Sequence, residues 1–409
     1  MQFSDFGLDR CLIDTVEHLG FNEPTQIQQQ AIPLIRSGVD LLASAQTGTG
    51  KTAAFALPIL NKLISAQFCE HKVRALVLAP TRELVQQIYQ NFNLFAQDTG
   101  IAICAAFGGV SIKPQIAMIS KGVDVVIATP GRLLDLLANS PLSLDSLSFL
   151  VFDEADRMLD LGFKDEITRV MAHVPECRQT LLFSATFDDS IYKLSKTLLH
   201  SPKIVTIDDK NEVATGVQQL VYCVDADRKR ELLSYLIGSK NWQQVLIFTR
   251  TKLTADDLAK ELGKDGIKAQ SFHGDKSQGK REQVLADFKS GKTRALVATD
   301  VAARGIDIVD LAYVVNYELP YIAEDYVHRI GRTGRAGKQG LALSLMAPSE
   351  EWLLTAVEKV IEKRLLQQWL PGYEPDLTKI ETVKKNTSKK KMRNQALQKS
   401  NSKNRRKRR

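Results

Sequence analysis

Short, almost wholly apolar runs alternate along this chain with stretches in which apolar residues recur at helical spacing. In the first half the runs at 41–44, 75–79, 101–106, 123–128, 147–152, 180–183 and 203–207 read as strands. Between them, 82–95 and 163–173 carry amphipathic helical patterns. Runs apolar at nearly every position suit strands covered on both faces, and their alternation with helices implies βαβ units around a parallel sheet. Asp208-Asp209-Lys210-Asn211-Glu212 interrupts the alternation, and residues 208–217 read as a linker. The pattern then resumes, with strands near 220–224, 244–248, 269–272, 295–298, 313–316 and 342–345 and helices at 229–237, 255–262, 281–288 and 350–364. The expected class is α/β. Two tandem domains, 1–207 and 218–375, each hold a parallel sheet with helices on both faces, and a tail follows at 376–409.

Composition changes this picture little until charge is placed along the chain. With 409 residues, 44% hydrophobic and 25% charged, the chain is ordinary for a globular protein and long enough for two cores. No apolar stretch is long enough to span a bilayer, and the first residues lack a secretory pattern, so no membrane partner is expected. Cys11, Cys69, Cys104, Cys177 and Cys223 are scattered without a Cys-x-x-Cys pair, which argues against disulfide or zinc frameworks. A reducing, cytoplasmic location is the expectation. The net charge is +8, yet from Lys384 onward there are 13 Lys and Arg and no Asp or Glu, leaving the preceding residues at −5. The tail is too poor in apolar residues to bury a core and is expected to be disordered. Its plain reading is a solubilising end. The favoured reading is a tether for an anionic polymer, because unopposed cations release counterions from phosphates.

Two segments carry chemistry by residue type and spacing. Ala45-Gln46-Thr47-Gly48-Thr49-Gly50-Lys51-Thr52 fits the phosphate-loop pattern and stands, as that pattern requires, between a strand and a helix. Gly48 and Gly50 let backbone N–H groups turn onto phosphate oxygens. Lys51 brings a charge to the β and γ phosphates, and Thr52 brings a hydroxyl to magnesium. Ala45 replaces the usual first glycine by one methyl group. Asp153-Glu154-Ala155-Asp156 ends the strand at 147–152, where open α/β sheets place their ligands. Asp153 is the expected magnesium ligand, largely through water, and Glu154 the expected base for an attacking water. An arginine-rich stretch, His328 to Arg335, lies far downstream in the second half.

These segments and their neighbours resemble the DEAD-box RNA helicases of superfamily 2 over residues 3 to about 365. Gly20-Phe21 and Pro24-Thr25-Gln26-Ile27-Gln28 resemble the family's adenine-reading motif, with Gln26 where proline is usual. The resemblance implies that Phe21 and Gln28 contact adenine. Pro80-Thr81-Arg82, Gly108-Gly109 and Thr129-Pro130-Gly131-Arg132 match elements that hold the RNA backbone, implying Pro80, Thr81, Arg82, Gly109, Thr129, Pro130 and Arg132 here. Ser184-Ala185-Thr186 matches the motif linking hydrolysis to unwinding, so Ser184 and Thr186 are implied in that coupling. In the second half, Gln278, Arg281, Thr299 and Arg304 are implied RNA contacts. Gly305 and Asp307 are implied nucleotide contacts, with Asp307 at the ribose. Arg332 and Arg335 match the arginine fingers, and His328 would bridge toward the Asp-Glu-Ala-Asp segment.

The resemblance implies two RecA-like domains, ATP and magnesium as ligands, and RNA bound with little sequence preference. Proteins of ribosome assembly or RNA turnover are the implied partners. Residues 107–112 and 371–376 are similar to the RhlE-type branch. Two rivals stand beside the helicase: an RNA clamp or scaffold switched by ATP, and a motor on DNA strands.

Overall fold

The computed structural model describes residues 1–45, 49–66, 72–207, 216–303, 308, 311–334 and 339–376. They form two seven-stranded sheets in which every strand pair is parallel. The first comprises β1 (Leu41–Ser44), β2 (Ala75–Leu78), β3 (Ile103–Ala106), β4 (Val125–Ala128), β5 (Phe149–Phe152), β6 (Gln179–Ser184) and β7 (Lys203–Thr206). Its order is β3-β4-β2-β5-β6-β1-β7. The second comprises β8 (Val217–Cys223), β9 (Val245–Thr249), β10 (Ala269–Phe272), β11 (Ala295–Thr299), β12 (Tyr313–Asn316), β13 (Gly340–Met346) and β14 (Leu366–Gln368). Its order, β10-β11-β9-β12-β13-β8-β14, is the first order with every strand moved seven places on. The chain therefore repeats one topology at the scale of a whole domain, which is why no short period is visible in the sequence.

Successive side chains of a strand face opposite sides. Val77 and Val151 pack with Phe55, Phe92 and Phe183 on one face, whereas Leu76, Leu78, Phe152 and Leu182 pack on the other. The helix Lys51–Ser65 lies deep under the first face, with Phe55 5.2 Å from Phe183 between ring centres. Each such ring withdraws enough apolar area to contribute about 1.5–3 kcal/mol. That packing anchors the helix that follows the phosphate loop.

The structure departs from the sequence reading at several places. Val217, read as linker, opens β8. The 350–364 helix stops at Val360, Glu362 turns at φ 52°, and β14 adds an edge strand. That strand is mostly exposed and so carries no apolar run for a reader to find. The 163–173 helix is Lys164–Met171, and a separate turn of helix, Ala155–Asp160, precedes it across Gly162 at φ 83°. The 281–288 helix begins earlier, at Gln278, because the Ser277 hydroxyl accepts from the Lys280 N–H at 3.4 Å. Most of the expected linker, 208–215, and the tail from 377 lie outside the described residues. Among the described residues no helix is long and apolar enough to cross a membrane.

Candidate active site in the cleft between the two sheets

Strands β5, β6 and β1 are neighbours, so the loops leaving their carboxyl ends meet. The Ala45 N–H donates to the Ser184 carbonyl at 3.1 Å, and Asp153 N–H to Leu78 at 2.9 Å. Gly50 begins the Lys51–Ser65 helix at φ 91°, and a Cβ there would meet the Gln28 amide at 2.4 Å. Glycine is required at that point. Gln28 accepts the Thr25 N–H at 2.9 Å and donates to the Gly50 carbonyl at 3.1 Å, tying the adenine-type motif to the phosphate loop. Phe21 is exposed and packs edge-to-face with Phe95, 6.3 Å between ring centres. The Lys51 ammonium is buried and donates to the Ala45 carbonyl at 2.9 Å. Thr49 and Thr52 are half-buried, whereas Gln46, Thr47 and Gly48 lie outside the described residues.

Asp153 and Glu154 are both buried. An Asp153 oxygen accepts the Glu154 N–H at 3.0 Å, and Glu154 takes a left-handed backbone at φ 51° between strand and helix. Burial raises the Asp153 carboxyl above its usual range, with Lys51 opposing. Burial also pushes Glu154 up to about 7, opposed by Lys51 and Arg332 and reinforced by Asp153 and Asp156. A carboxylate poised there suits proton acceptance near neutral pH. The cradle at Gly50, the buried ammonium and the oxygen donors of Asp153 and Thr52 fit a nucleotide with a hard cation.

Asp156 joins the acidic segment to β6. Its Oδ2 accepts from the Ala185 N–H at 3.0 Å and the Thr186 hydroxyl at 3.4 Å, and the Ser184 hydroxyl accepts the Thr186 N–H at 3.3 Å. Ser184 and Thr186 thus form part of a brace on Asp156.

From the second sheet, Arg332 is buried within the field of Glu154. His328 faces the same cleft, where burial depresses it to about 4 and Asp156 opposes, so its ring is neutral at physiological pH. Glu154, Asp156, Thr186, His328 and Arg332 line one cavity of about 1570 Å³. Arg329, inside the arginine-rich stretch, is a buried bolt and not a finger. It grips Asp300 at 2.6 and 2.8 Å and bonds Asn316 at 3.0 Å. Arg304, Gly305, Asp307 and Arg335 lie outside the described residues.

The expected RNA residues fall into two sets. Pro80, Thr81, Thr129 and Pro130 stand where β2 and β4 give way to the helices Arg82–Phe95 and Pro130–Asn139. The N–H groups of helix starts suit phosphate oxygens. Gly109, at φ 78°, lies against Arg82 so closely that a Cβ would overlap its guanidinium at 1.7 Å. Arg132 donates to Gln115 at 2.9 Å and to the Val110 carbonyl at 3.0 Å. Thr299 is buried at the end of β11. Gln278 and Arg281 are both buried in a clasp between the halves. Arg281 pairs with Glu83 at 2.8 Å and lies over the Phe272 ring. Gln278 donates to Gln86 at 3.3 Å, and Gln86 donates to Glu282 at 2.9 Å. Sequence reasoning missed Glu83, Gln86, Asp156, Asp300 and Arg329. Asp156 lies inside the acidic quartet, Arg329 inside the arginine-rich stretch, Glu83 directly after Pro80-Thr81-Arg82 and Asp300 directly after Thr299, but nothing local marks Gln86.

Known proteins resemble this chain in sequence and fold. A family model described as DEAD/DEAH box helicase matches residues 25–194, and one described as Helicase conserved C-terminal domain matches 228–337. The ATP-dependent RNA helicase CshA of Listeria monocytogenes is 43% identical over 373 residues, covering 91% of this chain and 71% of that protein. The RNA helicase CrhR of Synechocystis is 41% identical over 364 residues, 89% of this chain and 73% of its own. Among solved structures, S. cerevisiae Dbp5 bound to RNA and ADP BeF3 superposes with a TM-score of 0.81 at 31% identity, covering 90% of this chain and 95% of that one.

Proposed function

As the chain belongs to the DEAD-box ATP-dependent RNA helicases, we propose that it closes residues 1–207 and 218–375 on ATP and RNA together and pries short duplexes apart locally. The observation that carries this reading is the meeting of buried Glu154, which follows the buried Asp153, from the first half with buried Arg332 from the second in one cleft.

In this reading Lys51 and the phosphate loop hold the triphosphate, Phe21 and Gln28 face the adenine, and Asp307 meets the ribose. Asp153 and Thr52 hold magnesium, which when bound neutralises phosphate charge. Glu154 orients a water and accepts its proton as the water oxygen bonds the γ-phosphorus and ADP leaves. Arg332 and Arg335 stabilise the charge on the transferring group, an effect worth about 10³–10⁵ in rate. Hydrolysis therefore waits for closure. RNA held by both halves favours the same closed state, so RNA stimulates hydrolysis.

Energy sets the scale of unwinding. Driving closure from 1:99 to 99:1 takes roughly 5.5 kcal/mol of differential binding. Stacking averages about 1.4 kcal/mol per step in DNA. One closure thus offsets only a few steps, giving non-processive separation. Contacts through helix N-termini carry no base identity, so sequence preference is weak, and preference for RNA requires contacts to the 2′-OH. Ribosome assembly or RNA turnover in the cytoplasm is the proposed setting. Residues 107–112 and 371–376 favour the RhlE-type branch.

Strand-release assays on matched RNA and DNA duplexes, with and without ATP, test the reading. Release of short RNA duplexes only with ATP is expected. RNA binding without release would favour the ATP-switched clamp, equal release of DNA would favour a DNA motor, and passage through a long duplex in one binding event would overturn the local mode.

A further inference from the structure

Gly340 opens β13 and has no part in the chemistry above. It is buried, and it lines the same cavity as Glu154 and Arg332. A Cβ on it would overlap the hydroxyl of Thr333 and the nitrogen of Gly334, the two residues directly after Arg332. Its backbone is not left-handed, so glycine is needed here for close approach and not for its freedom in φ. The Gly340 N–H donates at 3.1 Å to the carbonyl of Gly216, where the chain enters the second half. That same carbonyl and Val217 bound Gly334, whose own Cβ would come within 2.8 Å of the Gly216 oxygen and 2.5 Å of Val217 Cγ2. Leu311 closes the remaining side. Its N–H donates to the Arg332 carbonyl at 3.2 Å, and its carbonyl accepts from the buried Thr333 hydroxyl. The main chain from Arg332 to Gly334 is thus wedged among three neighbouring segments, with no room for a methyl group on Gly340.

We propose that Gly340 is a positioning residue: with Gly216 and Leu311 it forms a seat, built mostly of backbone, that fixes the aim of Arg332 at the γ-phosphate. A displacement of about 1 Å near a reacting centre can cost roughly a hundredfold in rate. A side chain at 340 must push Thr333 and Gly334 outward and carry Arg332 with them. The phosphate loop and Glu154, on the first half, stay where they are. This inference rests on the reading of Arg332 given above.

The test is a double-mutant cycle on the full chain, because residues acting through one another lose their effects non-additively. Single-turnover ATP hydrolysis is measured with saturating single-stranded RNA. Affinity for a fluorescent, non-hydrolysable ATP analogue without RNA and the thermal midpoint are measured alongside. Gly340→Ala should slow hydrolysis by roughly ten- to hundredfold and leave analogue affinity within about twofold. On an Arg332→Ala background the same change should slow hydrolysis no further. Unchanged hydrolysis in Gly340→Ala, lost analogue affinity, or an equal slowing in both backgrounds overturns the inference. Should Gly340→Ala fail to fold, Thr333→Val carries the same cycle, since it keeps the side chain's shape and removes the bond to Leu311, and the same outcomes overturn the inference there. If Arg332→Ala alone leaves hydrolysis unchanged, the reading of Arg332 itself fails and the inference falls with it.

Discussion

The two sides of the cleft join the halves by different means. On the side of the expected RNA residues, Glu83 and Gln86 touch Arg281, Gln278 and Glu282 directly, at 2.8–3.3 Å. On the nucleotide side, Glu154 and Asp156 face Arg332 and His328 around a cavity of about 1570 Å³ and act on one another through their fields. A direct clasp can hold two bodies in register without a ligand. A cavity lined by carboxylates and cations holds two bodies less firmly until something bridges it, because desolvation offsets much of the attraction between buried charges. The comparison assigns alignment to one side and ligand-dependent closure to the other.

The strongest way to break this division is at the cavity. Arg332→Ala should lower the RNA-stimulated turnover of ATP by about 10³–10⁵ while leaving the fold intact, and steady-state hydrolysis reads it. Glu154→Gln should bind ATP yet lose about 10²–10⁴ in single-turnover hydrolysis. Normal turnover would remove Glu154 as the base. At the clasp, Arg281→Ala leaves Glu83 buried without its cation in the closed form. That orphaning costs up to ~3–5 kcal/mol, part of it relieved when the cleft reopens. RNA-stimulated hydrolysis should fall by roughly ten- to hundredfold, with the rate in the absence of RNA little changed. A drop of the same size in both rates would mean that Arg281 supports the fold and not closure. Deletion after Val383, the mildest change, should weaken RNA binding and flatten its dependence on salt, because the deleted cations release counterions.

What could be read from sequence divides along similar lines. The strand 41–44, the phosphate loop after it and the acidic quartet after β5 are contiguous, so periodicity and residue type suffice to place them. Gln278 and Arg281 carry the right residue types for an anionic backbone. Their partners Glu83 and Gln86 lie nearly two hundred residues away and meet them only when both sheets are folded. Arg329 and Arg332, three residues apart, have opposite fates for the same reason. One turns into the core onto Asp300, and the other turns into the cleft beside Glu154. β14 escaped because an exposed edge strand needs no apolar pattern.

The claim that hydrolysis needs both halves, drawn together by RNA, is tested most directly by ATP turnover of the full chain at saturating ATP, with and without single-stranded RNA. A rise of at least tenfold with RNA is predicted. Equal rates in the two conditions would contradict the account.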